Sequence, residues 1–452
     1  MQAETLAARF GFGSVGGVWP DPAAYAAPLR EAPDAFPRAA TATALSLGEA
    51  YTQARRARTQ KAPGAAEALR EAARALTLAA RDAARASIAR AVDAGRAGGA
   101  ADLRERLVWF WADHFAVAAR RPRDRLLPAS FVDDAIRPNA AGPFAALLRA
   151  ATLHPAMLHF LDQSSSIGPG SPAGQRRGAG LNENLARELL ELHTMGARSG
   201  YTQTDVRELA ALLTGVTVDP SGGMVFEPRR AEPGAETVLG RSYGGGRARI
   251  DDVLAVLDDL AARPETTGHI ARKLAVHFVA DDPDPALVAR LAAAWADTGG
   301  DLSAVGAALA ADPAAQAAPR TKVRRPLELV VAGLRALGLD GADVMALPSR
   351  VLIRHILAPM AAMGQPWLAP GGPDGWPEAA AAWITPQRLA ARIDWAMTAP
   401  AAMLRDLPDP RALAERALGR DAAGLLARAV AGAEQRAEGV GLVLAAPAFN
   451  RR

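Results

Sequence analysis

Leu185, Ala186, Leu189, Leu190 and Leu192 fall on one side of a 100° helical projection, and Glu183, Asn184, Arg187, Glu188 and Glu191 fall on the other. The pattern predicts a helix over Glu183–Met195, with Asn182 as N-cap and Gly196 in the left-handed position that ends it. A second helix follows at once. Thr202 as N-cap with Asp205 three places on makes a short capping box, and Tyr201 and Val206 form a hydrophobic staple. Val206, Leu209, Ala210 and Leu213 then give the core stripe up to Gly215. His193 projects between Ala186 and Leu189, inside the apolar face, so imidazole and carboxylates do not meet on this helix.

Helical spacing recurs along the chain. It covers Leu45–Ala97 with a break at Pro63–Gly64, then Asp102–Ala118, Phe131–Ile136, Gly142–Ala151, Ile250–Ala262 and Thr266–Val279. Further helices are predicted at 286–297, 302–311 and 325–337, the last with Pro326 at its first position. Between Val216 and Arg241 the period changes: VTVDPSGGMVF has two β-prone runs around a Gly-rich turn, and TVLGRSY adds a third. The fold class is therefore mostly α, a multi-helical globular body with a small β insertion. Four regions follow: an N-terminal helical region 1–161, a flexible loop with the central helix pair 162–215, the insertion 216–248, and a C-terminal helical region 249–452.

Composition narrows the chemistry. Half the residues are apolar, as a packed core requires, and 52 basic against 48 acidic residues leave a net charge of only +4. The basic residues are scattered among acids with no aromatic-interleaved run, which argues against nucleic acid. With no cysteine, disulfides, thiolate metal sites and cysteine nucleophiles are excluded. No GxSxG elbow supports a serine nucleophile, and RFGFGSVGG does not follow a strand as a phosphate loop would. The opening residues have neither a charged n-region nor a long apolar stretch, the text of a cytoplasmic protein; export beside a signal-bearing partner would place it in the periplasm or outside. No apolar run is long enough to span a bilayer.

Several side chains are candidates for function. His114, His193 and His277 each lie in the apolar face of a different predicted helix, so they could converge on a buried zinc or iron, with Glu188 or Glu191 nearby; core histidines with no shared role are the alternative. His154 and His159 read as packing residues between helices. The polar row is either a surface ion-pair ladder, Glu183–Arg187–Glu191, or a cleft in which Glu188 and Glu191 do acid/base work with Arg187 holding one of them. Arg176 and Arg177, in the Gly/Ser/Pro-rich segment before the central helix, could bind an anion or lie in a solvated linker. Trp367 and Trp376 either form an exposed stacking platform or pin their loop to the core.

LNENLARELLELHTMG followed by GYTQTDVRELAALLTG resembles the signature of the bacterial domain-of-unknown-function family 1800. The likeness extends to RLVWFWADHF, RKLAVHFV, KVRRPLELVVAGLRALG and DGWPEAAAAWITP, and so to nearly the whole chain. The resemblance implies a mostly helical fold and no established activity. It also implies a partner, an exported relative of sulfatases or phosphatases. The family pattern carries a histidine before PGAETVLG where this chain has Ala231, so it implies no metal role at that position here. Two functions remain open: a binding or accessory module acting with that partner, and a metal-dependent hydrolase built on the three histidines.

Overall fold

The computed structural model describes residues 2–15, 21–29, 36–177 and 180–452. Helices dominate, and the strands among the described residues are two antiparallel pairs. Helices α1 (Thr41–Thr59) and α2 (Ala65–Asp93) form a hairpin around the break at Gly64, which adopts φ 73°. Next comes α3 (Gly99–His114), the central helix of the body. From Gly99 to Val108 all its residues are buried, charged ones included, so amphipathic periodicity is lost there.

The central pair is as the pattern predicts, with shifted ends. The first member, α4, runs Asn184–Glu188 and continues as a π-helical turn, Leu189–His193. Asn182 does cap, but one residue early: its Oδ1 accepts from Asn184 N at 2.9 Å, while Glu183 occupies the N-cap place. The Thr194 hydroxyl closes the π turn on Leu189 O at 2.5 Å, and Gly196 takes φ 91°. In α5 (Gln203–Leu212) the Thr202–Asp205 capping box is present in both directions. The insertion comprises β1 (Val216–Val218) with β2 (Met224–Phe226), paired Thr217 to Val225, and β3 (Ala235–Val238) with β4 (Arg241–Gly244), paired Glu236 to Tyr243.

The 162–181 segment is tied down where a flexible loop is expected. Gly168 N donates to Arg230 O at 2.9 Å, Ala173 N to Arg229 O at 3.0 Å, and Gly170 N to Glu232 Oε2 at 2.9 Å. Two short helical turns form within it, Gln163–Ser165 and Pro172–Arg177. Gly/Ser content marks conformational freedom in the unfolded chain; partners far along the sequence remove it.

The second half adds α6 (Pro264–Phe278), α7 (Pro326–Ala336), α8 (Pro386–Met403) and α9 (Arg436–Ala445). Two apolar cores result. One gathers Leu103, Leu107, Phe110 and Trp111 of α3 with Leu189, Leu190, Leu209, Ile270 and Leu274. The other gathers Ile88 and Val92 of α2 with Val330 and Leu334 of α7, Trp395 and Val440. Close packing fixes a glycine in the second core. A Cβ on Gly333 would stand 2.4 Å from Trp395 Cη2. Gly333→Ala is expected to cost about 1–3 kcal/mol through overpacking, despite the better helix propensity of alanine; a urea midpoint equal to the parent's would refute that.

Candidate functional site

A cleft of about 670 Å³, measured out to its open mouth, lies between α3, the start of α7 and the loop 364–378. The enclosed part is polar and made from distant segments. Trp109 and Asp113 come from RLVWFWADHF, His277 from RKLAVHFV, Arg325 and Glu328 from KVRRPLELVV, and Trp376 from DGWPEAAAAW. The four downstream and upstream stretches that carry the family resemblance thus meet in one place.

Geometry inside the cleft is that of a closed ion network. Arg325 reaches Asp113 Oδ2 at 2.6 Å and Glu378 Oε1 at 2.7 Å. His277 Nδ1 lies 2.8 Å from Glu378 Oε1. With a carboxylate for partner, Nδ1 carries the ring hydrogen, and the Nε2 lone pair faces Arg106 Nη2 at 3.5 Å. Arg106 pairs with Glu328 at 2.9 Å, and Arg452 approaches the other oxygen of Glu328 at 2.7 Å. Lys322 donates to Asp281 and to the backbone of Glu378, both at 2.6 Å.

The electrostatics follow from burial and partners. Burial pushes the His277 imidazole down to about 3, against the pull of Glu378, so the ring is neutral. Burial alone would raise Glu328 and Glu378. Arg106 and Arg452 instead hold Glu328 down to about 2, and Arg325 with His277 holds Glu378 well below the carboxylate range. Arg106 is pushed down to about 9 by burial among other cations, only partly offset by Glu328. The pair is therefore lopsided: several cations hold Glu328 down, whereas for Arg106 burial and the charges of Arg452 and Arg325 outweigh Glu328 and Asp102. Asp113 is raised by burial, which outweighs Arg325.

The loop that closes the cleft is clamped. Trp376 N donates to Asp113 Oδ1 at 2.7 Å, Arg325 Nη2 to Trp376 O at 3.3 Å, and Gln365 Oε1 accepts from Leu327 N at 2.9 Å. Gly375, at φ 75°, lies so close to Asp113 that a Cβ would stand 2.5 Å from its backbone oxygen. Leu368, on the cleft wall, is held at φ 44°, a strained conformation for a branched side chain of the sort that concentrates at binding sites. Trp367 is half-buried and meets Trp109 edge-on, ring centroids 5.4 Å apart; Trp376 is half-buried too. Both tryptophans thus pin the loop and still offer a face to the cleft.

The three candidate metal-site histidines are all buried but do not share one centre. His114 and His193 adjoin, ring centroids 6.1 Å apart, with His114 Nε2 at 3.1 Å from the His193 backbone oxygen. Phe110 stands between His114 and His277, its ring 6.2 Å from the first and 5.2 Å from the second. Among the described residues no group of three or more His, Asp or Glu side chains is arranged to hold a metal ion. Beside His114 and His193 lies a polar seam that includes Lys273 and His269. Burial and the charge of Lys273 push His193 down to about 3 and His269 to about 4. Lys273 itself is lowered by burial, against Asp113 and Glu378.

Glu188 and Glu191 do not line the cleft. Glu188 is part-buried and raised, by burial first and then by Glu191, with Asp374 of the clamped loop adding to it. Glu191 accepts from the Tyr201 hydroxyl at 3.1 Å. Arg187 holds neither; it pairs with Glu183 at 3.0 Å and with Gln203 at 3.1 Å, the arrangement of a surface ladder. Arg176 is exposed on its short helix, and the Arg177 side chain lies outside the described part of the structure. Arg106, Asp113, Arg325, Glu328 and Glu378 escape the sequence reading. The available signal was the density of charge inside otherwise apolar helices, as in DLRERLVWFW and RRPLELVV.

The fold and cleft define a helical protein organised around a buried ion network. Residues 5–451 match the family described as protein of unknown function DUF1800, and the chain belongs to that family. The comparison with curated proteins and that with solved structures each gave no match. No described helix is long and apolar enough to cross a membrane.

Proposed function

We propose that the protein is a binding module whose tryptophan-walled cleft receives an aromatic or aliphatic anchor side chain of a partner protein. The partner is taken to be the exported sulfatase- or phosphatase-like hydrolase that the family resemblance implies. One observation carries this reading. The carboxylates on the cleft floor are engaged by arginine, and the cleft lining among the described residues has no serine, threonine, cysteine or lysine to act as a nucleophile. Apolar walls from Trp367, Leu368, Pro370 and Met360 over such a floor suit an anchor residue, the kind of pocket from which interfaces draw most of their affinity.

The test is co-expression of the full chain with the hydrolase encoded beside it, followed by gel filtration. A stable complex is expected, and Trp367→Ala should weaken it at least tenfold, on the order of 1.4 kcal/mol. Arg187→Ala, on the surface ladder, should leave affinity unchanged. Separate elution of the two proteins, or equal affinity in the Trp367 variant, would refute the proposal.

A second reading rests on the Glu378–His277 hydrogen bond, which turns the Nε2 lone pair toward Arg106 in a cleft also lined by Asp113, a carboxyl raised by burial. Such a pair could move protons in a hydrolytic reaction. Turnover of ester or phosphoester substrates by the lone protein, abolished in His277→Asn, would favour it over binding alone.

A further inference from the structure

A second cavity, of about 680 Å³ measured out to its open mouth like the first, opens between α1, the turn Pro122–Asp124 and the β1–β2 tip, and shares no lining residue with the tryptophan cleft. Its innermost groups are His159 and Asp124, both buried. His159 Nδ1 lies 3.1 Å from Asp124 Oδ1, so the ring hydrogen sits on Nδ1 and Nε2 is a bare lone pair. That nitrogen has no hydrogen-bond partner among the described residues, and neither has Asp124 Oδ2. Gly222 keeps the ring edge clear: a Cβ there would lie 3.8 Å from Nε2 and cover it.

Two buried acceptors call for donors, since buried polar atoms are almost always satisfied. The cavity wall supplies the opposite group. Arg56 is exposed at the mouth, its side chain without an ion pair or hydrogen bond to another described residue, and Arg123, also on the wall, lies with its Nε 3.5 Å from Asp124 Oδ1, leaving Oδ2 unengaged. Glu49 on the same wall already takes the Gln53 amide at 3.0 Å. Acceptors within and a guanidinium at the mouth complement a molecule with a donor head and an anionic end.

We infer that this cavity binds a small zwitterion of the amino-acid type. Its ammonium group donates to His159 Nε2 and Asp124 Oδ2, and its carboxylate meets Arg56 at the mouth. The test is calorimetric titration of the full chain with L-alanine, with glycerol and inorganic phosphate as comparisons. Saturable binding of alanine is expected. Arg56→Ala, on an exposed side chain, should weaken it at least tenfold, and Arg56→Lys should retain most of it. His159→Gln should weaken it comparably; should that variant fail to fold by circular dichroism, the Arg56 pair still decides. Trp367→Ala should leave the isotherm unchanged, so failure here and failure of the partner complex are distinguishable. No saturable alanine binding, equal binding of glycerol or phosphate, or indifference to Arg56→Ala would overturn the inference.

Discussion

Arg335→Met should lower stability by about 3–5 kcal/mol, the usual cost of removing one partner from a buried ion pair. Arg335 grips Asp102 with both ends of its guanidinium, at 3.0 and 2.8 Å, and also donates to Val92 O at 2.9 Å and Ala91 O at 2.6 Å. Neither partner is exposed by more than 1%. The substitution strands the Asp102 carboxylate in the interior with one long contact, from Phe12 N at 3.4 Å. It also leaves two carbonyl groups near the end of α2 without a donor. Urea unfolding should show the midpoint falling while the m-value holds. The double variant Asp102→Leu/Arg335→Met should recover much of the loss, because a pair replaced by apolar groups leaves no orphaned charge. A loss below 1 kcal/mol in the single variant would show that the interior tolerates that charge.

Acidification should destabilise the protein between about pH 6.5 and 4, starting above the pH at which unperturbed carboxylates protonate. The cause is histidine. His193 and His277 are each pushed down to about 3, and His154 and His269 to about 4, mainly by burial. The sign is fixed by comparison with the unfolded chain, where an imidazole takes its proton near pH 6.5. Above that value neither state is protonated and nothing is lost. Below it the unfolded state binds protons that the folded state refuses, so stability drops until pH reaches the folded value. A group held at about 3 contributes a loss of about 3 kcal/mol by pH 4. Two such groups reach the whole stability of many domains. Glu328 and Glu378, held low by arginine, add their own loss at still lower pH, while Asp113 and Glu188, held high, and Glu236, raised by burial to about 7, act in the opposite sense. His193→Leu tests this directly, since neither ring nitrogen of His193 has a hydrogen-bond partner to lose. Urea midpoints of that variant between pH 6 and 4 should fall less steeply, by close to one proton. Parallel curves for parent and variant would exclude His193 as a source of the acid sensitivity.

Local structure was well written in the text where one face of an element is dry and the other wet. The Thr202–Asp205 box, the glycine at 196, the Pro326 start and the first hairpin of the insertion all depend on a few neighbouring residues, and all are present; TVLGRSY, read as a single third run, folds back at Leu239–Gly240 as a hairpin of its own. The site was much less legible. Periodicity assigns a charged residue to the solvent side, yet Asp102, Arg104, Glu105 and Arg106 lie inside, because α3 is enclosed on every side. What neutralises them sits elsewhere: Arg335 for Asp102, Arg137 for Glu105, Glu328 for Arg106. No local pattern encodes a partner 32 positions away, as for Glu105, still less one more than 200 away, as for Asp102 and Arg106. The echo between WADHF and LAVHF did place His114 and His277 in the interior, but an echo carries no register, and Phe110 comes between them. His159, read as packing, does pack, and its second nitrogen borders a cavity that only the three-dimensional arrangement reveals.

The clamp on the 364–378 loop bears on how the chain matures. Asp113 finds its arginine partner in Arg325, and His277 finds the acceptor of its Nδ1 hydrogen in Glu378, so a ribosome-bound fragment ending before those residues carries polar groups that a closed interior would bury unpaired. Such a fragment should hold its second core open, accessible to chaperones, until the last third of the polypeptide arrives. On the binding reading proposed above, recognition surface and completed folding then become a single event, and a truncated product would lack the cleft as well as being unstable.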